Sequence, residues 1–164
     1  MIILGIDPGY AIVGYGVIKY ENGKMSVIDY GKITTPANIA LSKRLKLIYD
    51  SMTKLINDYN PDVVAVEELF FNSNVKTAIA VGHARGVIIL SAANSKKTIA
   101  EFTPLQIKQA VVGYGRADKN QVQQMVKMFL NLKEVPKPDD TADALAVAIC
   151  YANSSALSNQ LGLV

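Results

Sequence analysis

Ile2 to Ile6 is an apolar run rich in β-branched residues that stops at Asp7-Pro8-Gly9. A run of that length closed by turn formers predicts a buried strand. Two further strand-like runs, Ile12 to Tyr20 and Lys24 to Ile33, are joined by Glu21-Asn22-Gly23. Asn-Gly between such runs is the strongest short-range hairpin signal, because both central residues of the tight turn need positive φ. The chain thus opens on an antiparallel three-strand unit. From Leu41 onward Leu45, Ile48, Met52, Leu55 and Tyr59 recur at spacings of three and four, the stripe of an amphipathic helix, and Asn60-Pro61 ends it. Val63 to Val66 is continuously apolar, as a strand covered on both faces should be, and runs directly into Glu67-Glu68. Val75 to Asn94 has a helical pattern that is apolar on more than one side, and Thr98 to Phe102 reads as a strand. Val122, Met125, Val126, Phe129 and Leu130 mark another helix, and Asp140 to Leu157 a last, largely buried one. The order β-β-β-α-β-α-β-α-α predicts an α/β fold whose mixed sheet has an antiparallel edge, a parallel centre and helices on both faces. No repeat or linker divides it, so residues 1–157 are expected to form a single domain and 158–164 a loosely held tail.

Composition agrees with that picture. Half of the 164 residues are apolar, enough for one core that folds unaided, and 19% charged residues leave no room for a disordered chain. The longest uncharged apolar stretches, Gly86 to Ala93 and Ala144 to Ala152, fall well short of the roughly 20 residues that span a bilayer. The first residues lack a basic flank and reach the carboxylate of Asp7 before a signal-peptide core could form. A cytoplasmic protein without a membrane span is expected. Cys150, the only cysteine, lies in an apolar helical pattern and reads as a buried thiol. The net charge is +3, but its distribution is uneven. Between Lys96 and Lys137 eight basic residues face three acidic ones, a net +5, which leaves −2 elsewhere. A basic flank beside an acidic remainder suits an enzyme that grips phosphates and presents carboxylates.

Four of the acids are set apart by position. Asp7 ends the first strand and Glu67 the fourth, two strands expected to pair in parallel, and open α/β sheets build their sites at that carboxyl edge. Asp140 and Asp143, three apart at the start of the last helix, share one face. Each has a plainer reading: Asp7 as a turn former, Glu67 and Glu68 as strand-end charges, Asp140 as a helix cap with Asp143 beside the helix dipole. Their joint occurrence at three element ends that should meet favours a shared pocket. Clustered carboxylates raise one another's pKa and are costly without a cation, which a pair of divalent ions relieves. Oxygen-only ligands favour Mg²⁺, with Mn²⁺ as a substitute, over zinc. His83, the only histidine, sits within Gly82-His83-Ala84-Arg85-Gly86 with no nucleophile near it in sequence, and reads as a packed or surface residue. Gly113-Tyr114-Gly115 lacks the rest of a dinucleotide fingerprint and reads as a turn.

Gly5-Ile6-Asp7-Pro8-Gly9 with Gly14-Tyr15-Gly16, Glu67 followed by Leu69-Phe70 and then Ala84-Arg85-Gly86, Lys108-Gln109-Ala110-Val111-Val112-Gly113 with Lys119 and Gln121-Val122, and Asp140-Thr141-Ala142-Asp143-Ala144-Leu145 follow one another in a characteristic order. Together they resemble the Holliday junction resolvases of the RuvC family, over roughly residues 1 to 155. The resemblance implies a ribonuclease H-like five-stranded sheet, a homodimer, and Mg²⁺-dependent cleavage of four-way DNA junctions by symmetric paired nicks in recombination and repair. It also implies a branch-migration motor of the RuvA and RuvB type as partner. Asp7, Glu67, Asp140 and Asp143 would be the catalytic metal ligands of a two-metal hydrolysis, with Asp7 bridging. Lys108, Lys119 and Arg116 would meet DNA phosphates, and Phe70 and Phe71 would stack on an unpaired base or pack in the core. The Gly-Ile-Asp-x-Gly opening is shared with actin-like kinases and chaperone ATPases, which need two such domains around a nucleotide. A non-catalytic binding module of the same fold would have no use for all four acids.

Overall fold

The computed structural model describes residues 1–69 and 75–160. Five strands form one mixed sheet: β1 (Ile2–Asp7), β2 (Ile12–Glu21), β3 (Lys24–Thr34), β4 (Val63–Glu67) and β5 (Thr98–Phe102), in the spatial order β3-β2-β1-β4-β5. β1 pairs antiparallel with β2 and parallel with β4, and β4 pairs parallel with β5. Asn22 and Gly23 take φ of 51° and 77°, the left-handed pair that the tight hairpin between β2 and β3 requires.

Helices cover both faces. Under one face α1 (Leu41–Tyr59) and α2 (Val75–Asn94) bring Ile48, Met52, Ile56, Ala84, Ile88 and Ala92 against Leu4, Ile6, Val13, Val17, Val64 and Val66. Under the other lie α3 (Pro104–Val112), α4 (Lys119–Phe129) and α5 (Asp139–Gln160), whose Ile107, Val111, Val122, Val126, Leu145 and Ile149 pack on Ile3, Ile18, Val63 and Ala65. Cys150 is buried here, and burial pushes its thiol up to about 11, so it stays protonated and unreactive.

Two features depart from the sequence reading. Helix α3 adds an element to the expected order. It is short and turns only Ile107 and Val111 fully inward, too few for a period to stand out, but its ends were marked. Thr103 and Gln106 form a reciprocal capping box, Pro104 occupies the first turn, and Gly113 closes the helix at φ 94°. The second feature is Arg44, buried on the core face of α1. Its Nε donates to the Pro36 carbonyl (2.6 Å), an Nη to the Thr35 carbonyl (3.2 Å), and its guanidinium lies 4.1 Å from the Tyr10 ring centre. Thr35 Oγ1 donates in turn to the Tyr10 carbonyl at 2.8 Å, so the turn that follows Asp7 is tied to the end of β3.

Candidate active site

The parallel pairing of β1 with β4 sets Ile6 opposite Val66, so Asp7 and Glu67 leave the sheet side by side at its carboxyl edge. Antiparallel pairing places Gly14 across from Asp7. Here the first turns of α5 descend onto the strands. A Cβ on Gly14 would overlap the Asp140 carbonyl oxygen, and one on Gly5 the Ala144 carbonyl oxygen. The missing side chains let the helix touch the sheet, and that contact brings Asp140 and Asp143 to the carboxyl edge. Helix α5 begins at Asp139, so Asp140 stands inside the first turn.

The acids interact strongly. Burial pushes Asp7 up to about 8, and the charges of Glu67, Asp143 and Asp140 push in the same direction. Burial raises Glu67 to about 7, with Asp143 adding to the effect. Asp143 is raised as well, chiefly by burial, against the pull of Lys119. Lys119 enters because Asp118 and Gln121 form a capping box that fixes the start of α4. Its Nζ lies 3.0 Å from Asp143 and 3.4 Å from Asp139, and Gln123 Nε2 donates to Asp139 at 3.1 Å. An open cleft gathers Glu67, Asp143, Lys108 and Lys119 between walls of Ile107, Val122 and Ala146.

The structure thus brings together Asp7, Glu67, Asp140, Asp143, Lys108 and Lys119. Arg116 is exposed in the connection between α3 and α4, and Phe70 and Phe71 lie outside the described residues. His83 is exposed. The pairing of Lys119 with Asp139 and Asp143 was not anticipated, since nothing in spacing says which acid a lysine will meet across a cleft.

Among the described residues no three His, Cys, Asp or Glu side chains form a ready metal cage, and Asp143 is turned to Lys119. The donor chemistry nonetheless fits a hard divalent cation. The candidate donors are carboxylate oxygens, and the pKa values of Asp7 and Glu67 are raised first by burial and then by neighbouring carboxylates, two costs that a bound cation would relieve.

Comparison with known proteins agrees with this geometry. Residues 3–151 match the family model described as crossover junction endodeoxyribonuclease RuvC. The chain is 68% identical over 154 residues to the crossover junction endodeoxyribonuclease RuvC of Alkaliphilus oremlandii (strain OhILAs), covering 94% of each. Its structure is similar to that of Thermus thermophilus RuvC, with a TM-score of 0.90 and 33% identity over 96% of this chain and 97% of the other. The same protein in complex with a Holliday junction substrate superposes with a TM-score of 0.88 and 31% identity, over 96% of each chain.

Proposed function

The chain belongs to the RuvC family of crossover junction endodeoxyribonucleases, and on that premise we propose that it resolves four-way (Holliday) DNA junctions in the cytoplasm by paired, symmetric phosphodiester hydrolysis. The observation that carries the reading is the convergence of Asp7, Glu67, Asp140 and Asp143 at the carboxyl edge of β1 and β4, with Lys108 and Lys119 in the same cleft.

When bound, Mg²⁺, two ions per site with Mn²⁺ as a substitute, would supply Lewis-acid polarisation of the scissile phosphate and lower the pKa of an attacking water. Asp7, whose carboxyl feels the charges of the other three acids, would hold the cation together with Glu67, Asp140 and Asp143. Lys108 and Lys119 meet the incoming phosphate, whose charge replaces that of the carboxylates Lys119 now holds. Arg116, exposed between α3 and α4, adds a further phosphate contact, and Phe70 and Phe71 stack on an unpaired junction base or pack in the core.

Two like cuts in a twofold-symmetric junction call for two sites, and so for a symmetric dimer. Helix α2 is the contact we assign. Ala84 and Ile88 belong to the chain's own core, but Ile79 and Leu90 are 56% and 51% exposed and flank the exposed Gly82, His83 and Gly86 on one stripe. A Cβ on either glycine would meet nothing within 4 Å, which leaves room for a second helix to approach closely. A RuvA and RuvB type motor delivers the junction.

The test is direct. Synthetic four-way junction and linear duplex of the same sequence are incubated with the protein and Mg²⁺. Paired nicks in the junction alone, abolished by chelation, are expected; equal cutting of duplex, or cutting that persists in chelator, overturns the reading.

A further inference from the structure

Arg85, on α2, reaches toward the site from the side of the sheet opposite the cleft. In the β4–β5 ladder Val66 pairs with Glu101 and Glu67 with Phe102. Because side chains alternate along a strand, Glu67 projects into the cleft while Val66 and Glu101 face α2. There the Arg85 guanidinium forms an ion pair with Glu101, and its Nε donates to the backbone carbonyl of Glu67 at 3.3 Å. On the other pole of the same peptide unit, the Glu68 N–H donates to the Phe102 carbonyl at 2.8 Å. Both polar groups of the peptide that follows Glu67 are therefore held, one by β5 and one by Arg85. That peptide is where the chain leaves the sheet.

From this arrangement we propose that Arg85, braced by Glu101, is a positioning residue that holds the Glu67 carboxylate in its cation-binding orientation from the far face of the sheet. Arg85 does not line the cleft and so does not touch substrate there. Its planar guanidinium spans a carboxylate and a carbonyl at once, which an ammonium group cannot do with the same geometry. Groups one step removed from a metal ligand commonly govern cation affinity in this way. The inference rests on reading Glu67 as a cation ligand.

Mn²⁺ binding to the metal-free protein is measured by calorimetry, beside the Mg²⁺ dependence of junction cleavage, for the wild type, Arg85→Gln, Arg85→Lys, Glu101→Gln and Glu67→Gln. Arg85→Gln is expected to weaken Mn²⁺ binding about 10-fold and to move the Mg²⁺ midpoint of cleavage by a similar factor. Junction affinity measured without metal stays unchanged. Arg85→Lys recovers part of the shift, because it keeps the charge facing Glu101, and Glu101→Gln moves both midpoints in the same direction by less. A brace that served only folding would lower the melting temperature and leave both midpoints at their wild-type values, and that result overturns the proposal. Should Arg85→Gln not fold, the Glu101→Gln midpoints decide in the same way. Wild-type cleavage by Glu67→Gln would overturn the reading of Glu67 and this inference with it. An inactive Glu67→Gln beside unmoved Arg85→Gln midpoints would overturn the brace alone.

Discussion

Asp140 shows how one side chain separates two explanations. As a first-turn residue of α5 it would contribute only its charge beside the helix dipole, about 0.3–1 kcal/mol of stability, so Asn would cost little in folding and nothing in cleavage. As a cation ligand it could not be replaced in this way, because the amide keeps the shape and removes the charge. Asp140→Asn, like Asp7→Asn, Glu67→Gln and Asp143→Asn, is expected to fold and to bind junction at least as tightly as the wild type. Its cleavage should fall by about 10² to 10⁴, the several kcal/mol that a correctly held cation contributes. Single-turnover cleavage and gel-shift binding check this, and a wild-type rate for Asp140→Asn would move the assignment to Asp139. Asp7 carries a second consequence. Its carboxyl titrates near 3.8 when free and is pushed up to about 8 in the folded chain. Between those values the folded chain holds a proton that the unfolded chain has released, so stability of the metal-free protein is highest at low pH and falls as pH rises toward 8. Glu67, raised to about 7, adds to the same slope. Thermal melts in chelator should therefore decline from pH 5 to pH 8, Mg²⁺ should restore the loss at pH 8, and Asp7→Asn should flatten the decline.

Helix α5 carries half of the acids, and its seat depends on what the strands lack. Adding one methyl at Gly14 drives it into the Asp140 backbone, which cannot retreat without lifting the first turn of α5 off β1 and β2. Overpacking of this kind costs about 1–3 kcal/mol, and in a chain of this size each kcal/mol lowers Tm by about 2–4 °C. Gly14→Ala should melt lower by that margin and lose cleavage beyond what its stability explains, as judged from rates measured well below its Tm. Helix α4 contributes Lys119 from its first position, where the capping box holds the backbone and the side chain reaches Asp143 and Asp139. If Lys119 meets a DNA phosphate as a point charge, Lys119→Ala should reduce the salt slope of junction binding by about one. An unchanged slope with lost turnover would instead assign that lysine to the scissile phosphate.

The proposed pairing of two active sites on one junction would have α2 meet its own copy. Ile79 and Leu90 point away from the chain's core, and each places apolar surface in water unless another surface covers it. Ile79→Asp with Leu90→Asp should shift the protein from dimer to monomer in sedimentation at micromolar concentration without lowering the thermal midpoint of the chain itself. It should also convert paired nicks into single, uncoupled ones. A wild-type protein that sediments only as a monomer, with and without junction, would rule out this assembly.

Strands, the hairpin and four of the five helices were legible because their signals are local: periods of two and 3.6, an Asn-Gly turn, Asn-Pro and Pro-Gly stops. The four acids were legible as candidates because each stands at the end of an element whose direction the order of strands implies. Helix α3 escaped, since a short helix with two inward residues has no period to read, although Thr103, Pro104, Gln106 and Gly113 marked its ends. Only tertiary structure decided that Gly5 and Gly14 seat α5, that Lys119 lies between Asp139 and Asp143, that Arg44 is buried over Tyr10, and that Arg85 holds Glu67 from the opposite face. The physical reason is the same in each case. Local propensity and hydrophobic period act between neighbours in the chain, whereas close approach, ion pairing and desolvation act between groups that meet only once the sheet has brought distant segments together.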